Sequence, residues 1–164
     1  MSALRRASPF ALAEARRILG ELRIENPDEL DIELIAARHG AAVLPRALAG
    51  CDGRLVSSAG KALIFVDHHA YETAKWRFTV AHELGHLVLH ENVDAFKLCS
   101  ERDMNEYHGS GREPEANTFA AELLMPKVLF EPRCDVRRPS LTYVRALARE
   151  FATSLSATAI RFVE

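Results

Sequence analysis

The sequence predicts an α+β domain, a small antiparallel sheet packed on helices with a helical pair at the C-terminal end. Three observations lead there. Apolar residues recur at helical spacing over most of the chain, while β-rich runs are confined to residues 41–66. The 164 residues are about one domain's worth, and no repeat, low-complexity tract or linker divides them, so residues 1–164 read as a single domain. A composition of 48% hydrophobic and 27% charged residues is close to the soluble average and is enough for a continuous core.

Ser8-Pro9 offers a cap with proline in the first helical turn, and Leu12, Ala15, Ile18, Leu19 and Leu22 follow at helical spacing. Asn26-Pro27 breaks that helix. Asp28 restarts a second one through Leu30, Ile32, Leu34, Ile35 and Ala36, and Gly40 stands where a left-handed residue would close it. Strands are expected at Ala41 to Leu44, Gly53 to Val56 and Ala62 to Val66, the last two joined as a hairpin by the turn-rich Ser57 to Lys61. From Thr73 to about His90 there is no proline and one glycine, and apolar residues occur all round, which predicts a largely buried helix. Asn92 to Arg112 is polar and reads as an irregular connection. Glu113 to Met125 is helical again until Pro126 stops it. Ser140 caps a helix through Phe151, and Thr153-Ser154 turns into a last one, Leu155 to Phe162, so the terminal pair covers about 140–162.

Composition excludes several classes of function. Lys+Arg 21 against Asp+Glu 23 leaves a net charge of −2, which gives no footprint for a polyphosphate backbone, so direct binding of nucleic acid is not expected. No stretch approaches the roughly 18 apolar residues of a membrane span, and Met1 to Arg6 lead into charged helix instead of an apolar signal core. A cytoplasmic location without membrane attachment is therefore expected. Cys51, Cys99 and Cys134 are odd in number and far apart, which suggests neither a disulfide framework nor a thiolate metal site.

His82-Glu83-Leu84-Gly85-His86 carries the chemistry. Residues four apart share a helix face, so both imidazoles can reach one metal ion while Glu83 stands beside it to accept a proton from water. At these His and Glu frequencies chance supplies only about 0.03 such matches. The apolar flanks Phe78, Val80, Leu87, Val88 and Leu89 make two unpartnered histidines costly to bury. A catalytic zinc site takes three protein ligands and leaves one position open. His90 cannot be the third, because two helical turns separate it from His82 by about 12 Å of rise. It reads as a residue ending the helix, where a cation suits the dipole. Two glutamates of the next helix compete. Glu113 shares a face with Ala116, Asn117, Ala120 and Leu124, small or apolar residues that permit close packing, whereas Glu115 shares its face with Thr118 and Glu122, which reads as solvated. Glu113 is the better candidate, with Glu115, His68, His69 and His108 as alternatives, and Asn117 is placed to hydrogen-bond a ligand histidine.

The segment Arg77 to His90 with its His-Glu-Leu-Gly-His core, followed by Glu113-x-Glu115-Ala116-Asn117-x-Phe119-Ala120-Ala121-Glu122-Leu123-Leu124-Met125-Pro126, resembles the ImmA/IrrE family of zinc metallopeptidases. Weaker similarity runs from Pro27 to the chain end. The resemblance implies a gluzincin-like fold in which His82, His86 and Glu113 bind Zn2+ and Glu83 is the general base. It also implies a substrate that is a regulatory protein, a helix-turn-helix transcriptional repressor cut near its DNA-binding domain. Tyr107 and His108 are candidates for stabilising oxyanion charge. The strand Ala62 to Val66 is a candidate for pairing with an extended substrate. The competing reading is a metal-stabilised binding module that sequesters a repressor or antitoxin without cutting it. Glu83 separates the two, since a binder needs no base. The basic bias of Arg133, Arg137, Arg138, Arg145, Arg149 and Arg161 reads as a solvated or partner-binding face of the terminal helices.

Overall fold

The computed structural model describes residues 7–90 and 111–164. The expected connection from Asn92 onward, with Cys99, Tyr107 and His108, lies outside the described residues except for its last two positions. In chain order the elements are α1 (Pro9–Leu22), α2 (Ile32–Arg38), β1 (Ala41–Arg46), β2 (Gly53–Ser58), β3 (Lys61–Asp67), α3 (Ala74–Leu89), α4 (Arg112–Leu124), α5 (Lys127–Phe130), α6 (Leu141–Glu150) and α7 (Leu155–Val163). None of these helices is long and apolar enough to cross a membrane.

Capping residues set most helix starts. The hydroxyls of Ser8, Thr73, Ser140 and Ser154 accept amide hydrogens from the first turns of α1, α3, α6 and α7. The second helix starts later than expected. Pro27–Glu29 is a single 3-10 turn, closed when the Glu29 carboxylate accepts the Asn26 amide at 3.1 Å. Only at Asp31 does a carboxylate face the following turn, accepting the Glu33 and Leu34 amides and opening α2. Gly40, at φ +76°, closes it as expected.

The sheet departs from expectation. Its order is β1-β3-β2, with β2 antiparallel to β3 and β1 parallel to β3, so it is mixed where an antiparallel sheet was expected. The hairpin itself forms as read. The alternation of β3 buries Ala62, Ile64 and Val66, and the most apolar strand takes the centre, where both of its edges are hydrogen-bonded. Residues 47–52 then carry the chain from β1 to the opposite edge. Asp67 pins that crossing, its carboxylate accepting the Leu48 amide at 3.1 Å and its own amide donating to the Asp52 carbonyl at 2.9 Å.

One core joins Ala15 and Ile18 of α1, Ile35 of α2, Ile64 and Val66 of β3, Trp76, Val80 and Leu84 of α3, and Phe119 and Leu123 of α4. Each large side chain so buried contributes about 1.5–3 kcal/mol. A smaller core of Met125, Phe130, Leu147 and Phe151 holds the C-terminal helices together. Between the two stands Glu122, whose side chain is 1% exposed, in place of the solvated residue expected on that face of α4. Arg16 donates to its Oε1 at 2.8 Å, and Arg161 donates to its Oε2 and to the Met125 carbonyl. The two guanidiniums let α1 and α7 cover a carboxylate that would be prohibitive to bury alone.

Candidate metal centre

The start of α3 is anchored through Trp76, whose indole donates to Glu33 at 2.8 Å and meets the Tyr71 ring edge-on. The helix then crosses α4 at a point of very close approach. A Cβ added at Gly85 would lie 3.1 Å from the Ala116 Cα and 3.1 Å from the Phe119 ring. His86 follows Gly85, and Glu113 lies one turn before Ala116. The tight crossing therefore brings a carboxylate over the histidine face.

Three side chains converge there. Glu113 Oε2 is 3.1 Å from His82 Nε2, and Glu113 Oε1 is 3.0 Å from His86 Nε2. The two Nε2 atoms lie 3.1 Å apart, with the rings nearly perpendicular. Tetrahedral bonds of about 2.0–2.1 Å separate ligand atoms by about 3.3 Å, so this donor spacing fits a small divalent ion. The tautomers fit as well. Asn117 Oδ1 lies 3.0 Å from His82 Nδ1, and as an acceptor it holds the ring hydrogen on Nδ1, so that a metal ion would take the place of the proton that Nε2 shares with Glu113. Asp67, His68 and His69 form a separate, more exposed group, and neither of those histidines joins His82 and His86.

Charge follows the same geometry. Burial alone would raise the pKa of Glu113, but hydrogen bonds from His82 and His86 overcome it and hold the carboxyl far below the ordinary range. Burial works against charge on His82, yet the Glu113 hydrogen bond and the carboxylates of Glu83 and Glu113 bring its pKa above the usual imidazole value. Glu83 behaves in the opposite sense to Glu113. It is 3% exposed, and burial pushes its pKa up despite the nearby histidines. Its Oε2 is buried with no hydrogen-bond partner among the described residues. A buried acceptor left unpaired costs about 1–3 kcal/mol, so this oxygen is held at a cost to stability.

The other candidates fall into different roles. His90 ends α3, its amide bonded to the His86 carbonyl, as its position predicted. Burial works against the cation expected there and lowers its pKa. Its Nε2 is 3.8 Å from Glu115 Oε2, and Glu115 also accepts from the Ser8 hydroxyl at 3.3 Å, so Glu115 ties α1 to the end of α3 and stays away from His82 and His86. Cys51 and Cys134 are free thiols. Sequence reasoning missed two residues that shape the site, Gly53 and Gly85. Gly85 had a legible signal, since a glycine inside a helix costs about 1 kcal/mol against alanine and has to be offset by packing. Gly53 had none. It opens β2 directly over Glu83, and a Cβ there would stand 2.9 Å from Glu83 Oε1.

A mixed sheet-and-helix fold, with an H-E-x-x-H helix facing a carboxylate on a second helix, is a metallopeptidase-like domain. The chain belongs to the Peptidase_M78 family, described as an IrrE N-terminal-like domain, which matches residues 36–163. No curated protein matches it significantly. Among solved structures it is similar in fold to a Mycobacterium tuberculosis transcriptional regulator, with 19% identity and a TM-score of 0.62 over 94% of this chain and 47% of that one. The chain thus spans about half the length of that protein.

Proposed function

We propose that this chain is a zinc endopeptidase that cleaves a regulatory protein, of the helix-turn-helix repressor class. The observation that carries the reading is the convergence of His82, His86 and Glu113 beside a buried, unpaired Glu83 oxygen. The two Nε2 atoms and the Glu113 carboxylate would hold Zn2+ with one position open, and the ion, when bound, supplies a Lewis acid that acidifies water and polarises a carbonyl. The chain's own residues do the rest. Asn117 fixes the His82 ring through Nδ1. Glu83 Oε2, kept basic by burial, takes a proton from the attacking water and hands it to the departing amine. The packed wall of Leu84, Phe119 and Ala120 excludes bulk water from behind the helix pair.

The substrate segment has to be extended, because a peptide bond inside a folded helix cannot present its carbonyl to this site. The expected pairing with β3 is ruled out, since β1 and β2 occupy both of its edges. Of the two outer edges, those of β1 and β2, the edge of β2 is the one to pair, because its Gly53 end lies against Glu83. The terminal helices α6 and α7, with Arg145 and Arg149 exposed on α6 and Arg137 and Arg138 exposed just before it, serve to hold the folded repressor. Membership of the IrrE-like family and the fold shared with a transcriptional regulator support a regulatory substrate. A gluzincin-type His-His-Glu donor set and a cytoplasmic setting belong to the same reading. A module that merely sequesters its partner has no use for the Glu83 base.

The test is to incubate the zinc-loaded protein with candidate helix-turn-helix repressors and look for a discrete fragment. Glu83→Gln keeps the fold and the metal but slows cleavage by about 10²–10⁴-fold, because only proton transfer is removed. Turnover by that variant at the wild-type rate overturns the mechanism.

A further inference from the structure

The sheet has a second face, turned away from α3. Its inner residues Ala62, Ile64 and Val66 are buried, whereas the alternate positions of β3 point outward. Register sets Leu44 of β1 beside Phe65, and Val56 of β2 beside Leu63. Leu44 and Leu63 are 41% and 38% exposed, so these four make a continuous apolar strip across three strands. Basic residues edge it. Arg54 lies opposite Phe65, Lys61 closes the hairpin end, and the Arg46 guanidinium sits 5.4 Å over the Phe65 ring. Arg54 Nε is buried without an acceptor among the described residues. The acid on this face of β3, Asp67, is already engaged by the Leu48 and His69 amides.

We infer that the outer face of the sheet is a docking surface for an acidic, amphipathic segment of a protein partner. An apolar strip edged by three cations matches a segment that carries apolar residues on one side and carboxylates at its margins. Carboxylates at the margins of such a segment meet the Arg46, Arg54 and Lys61 side chains that edge the strip. A second copy of this chain is a poor occupant, because a two-fold contact sets Arg46, Arg54 and Lys61 against themselves. Nucleic acid is poorer still. The aromatic ring that would stack a base is covered by Arg46, and Leu44 and Leu63 would be desolvated against a polar ligand. The inference is independent of catalysis and stands whether or not the chain cuts what it binds.

The test is fluorescence anisotropy on the full chain with three labelled probes. They are an amphipathic peptide of about 16 residues with Leu at helical i, i+3, i+4 and i+7 spacing and Glu elsewhere, its counterpart with Lys for Glu, and a single-stranded oligonucleotide. The acidic peptide binds and the other two do not. Leu44→Ser with Leu63→Ser, and separately Arg46→Glu with Arg54→Glu, each weaken it at least about tenfold, with zinc content unchanged. Added salt weakens binding further in the wild type than in the charge-reversed variant. If the leucine pair proves unstable, reversal of the exposed Arg46 and Lys61 decides the matter alone. Failure of the acidic peptide to bind, equal binding by the variants, or preference for the Lys peptide or the oligonucleotide overturns the inference. So does a wild-type dimer that these substitutions dissociate.

Discussion

Where β2 passes over α3, an alanine at position 53 would place its Cβ 2.4 Å from Thr79 Cγ2 and 2.9 Å from Glu83 Oε1. Carbon atoms rest at about 3.5–4.0 Å, so the Thr79 methyl or the strand has to give by more than about 1 Å. Gly53 is not among the residues with positive φ, so the cost of Gly53→Ala is steric and not conformational. Overpacking of this kind costs about 1–3 kcal/mol, and replacing a strand glycine returns about 0.5–1 kcal/mol, leaving a net loss of about 1–2 kcal/mol. Activity should suffer more than stability, because a base displaced by about 1 Å loses on the order of 10²-fold in rate. The added Cβ meets the Thr79 and Glu83 side chains and none of His82, His86 and Glu113, so zinc affinity stays within about tenfold. Thr79→Ser deletes the methyl group in the worst contact, and the double variant recovers a large part of both losses. The measurements are kcat/KM on a cleaved substrate, zinc affinity by chelator competition, and urea unfolding. Wild-type activity in Gly53→Ala, zinc loss as severe as in His82→Ala, or no recovery with Thr79→Ser would refute the reasoning.

Glu113→Ala should lose zinc far more completely than Glu115→Ala, because Glu113 alone of the two stands about 3 Å from both histidines; elemental analysis after zinc loading reads this directly. Asn117→Ala should weaken zinc binding by about 10–100-fold through loss of the hold on His82 Nδ1, with little change in unfolding midpoint. An unaltered zinc affinity would show that the ring is fixed by packing alone. Glu122→Ala should cost about 3 kcal/mol in urea unfolding, since it strands the largely buried Arg161 guanidinium. The companion Arg16→Ala should cost much less, because Arg16 is half exposed and water already shares its charge.

Local pattern carried much of this protein. The helix α3 was bounded correctly by its Thr73 cap and by the lack of breakers, and the period of 3.6 residues alone puts His82 and His86 on one face. The contrast of small residues behind Glu113 with polar ones behind Glu115 pointed to the carboxylate that α4 sets over the histidines. Caps, helical period and hairpin turns act within about four residues, so a linear sequence displays them. Tertiary packing decided the rest. Glu122 looks solvated along its own helix, and it is buried only because Arg16, 106 residues away, and Arg161, 39 residues away, fold onto it. The side of β3 that β1 takes depends on where residues 47–52 cross, which hydrophobic alternation leaves open. Gly53 is separated from Glu83 by two strands, the turns that follow them and half a helix, and its missing side chain acquires meaning only once β2 lies on α3. The pKa of His90 is lowered for the same reason, since the packing around it removes water that would stabilise its charge.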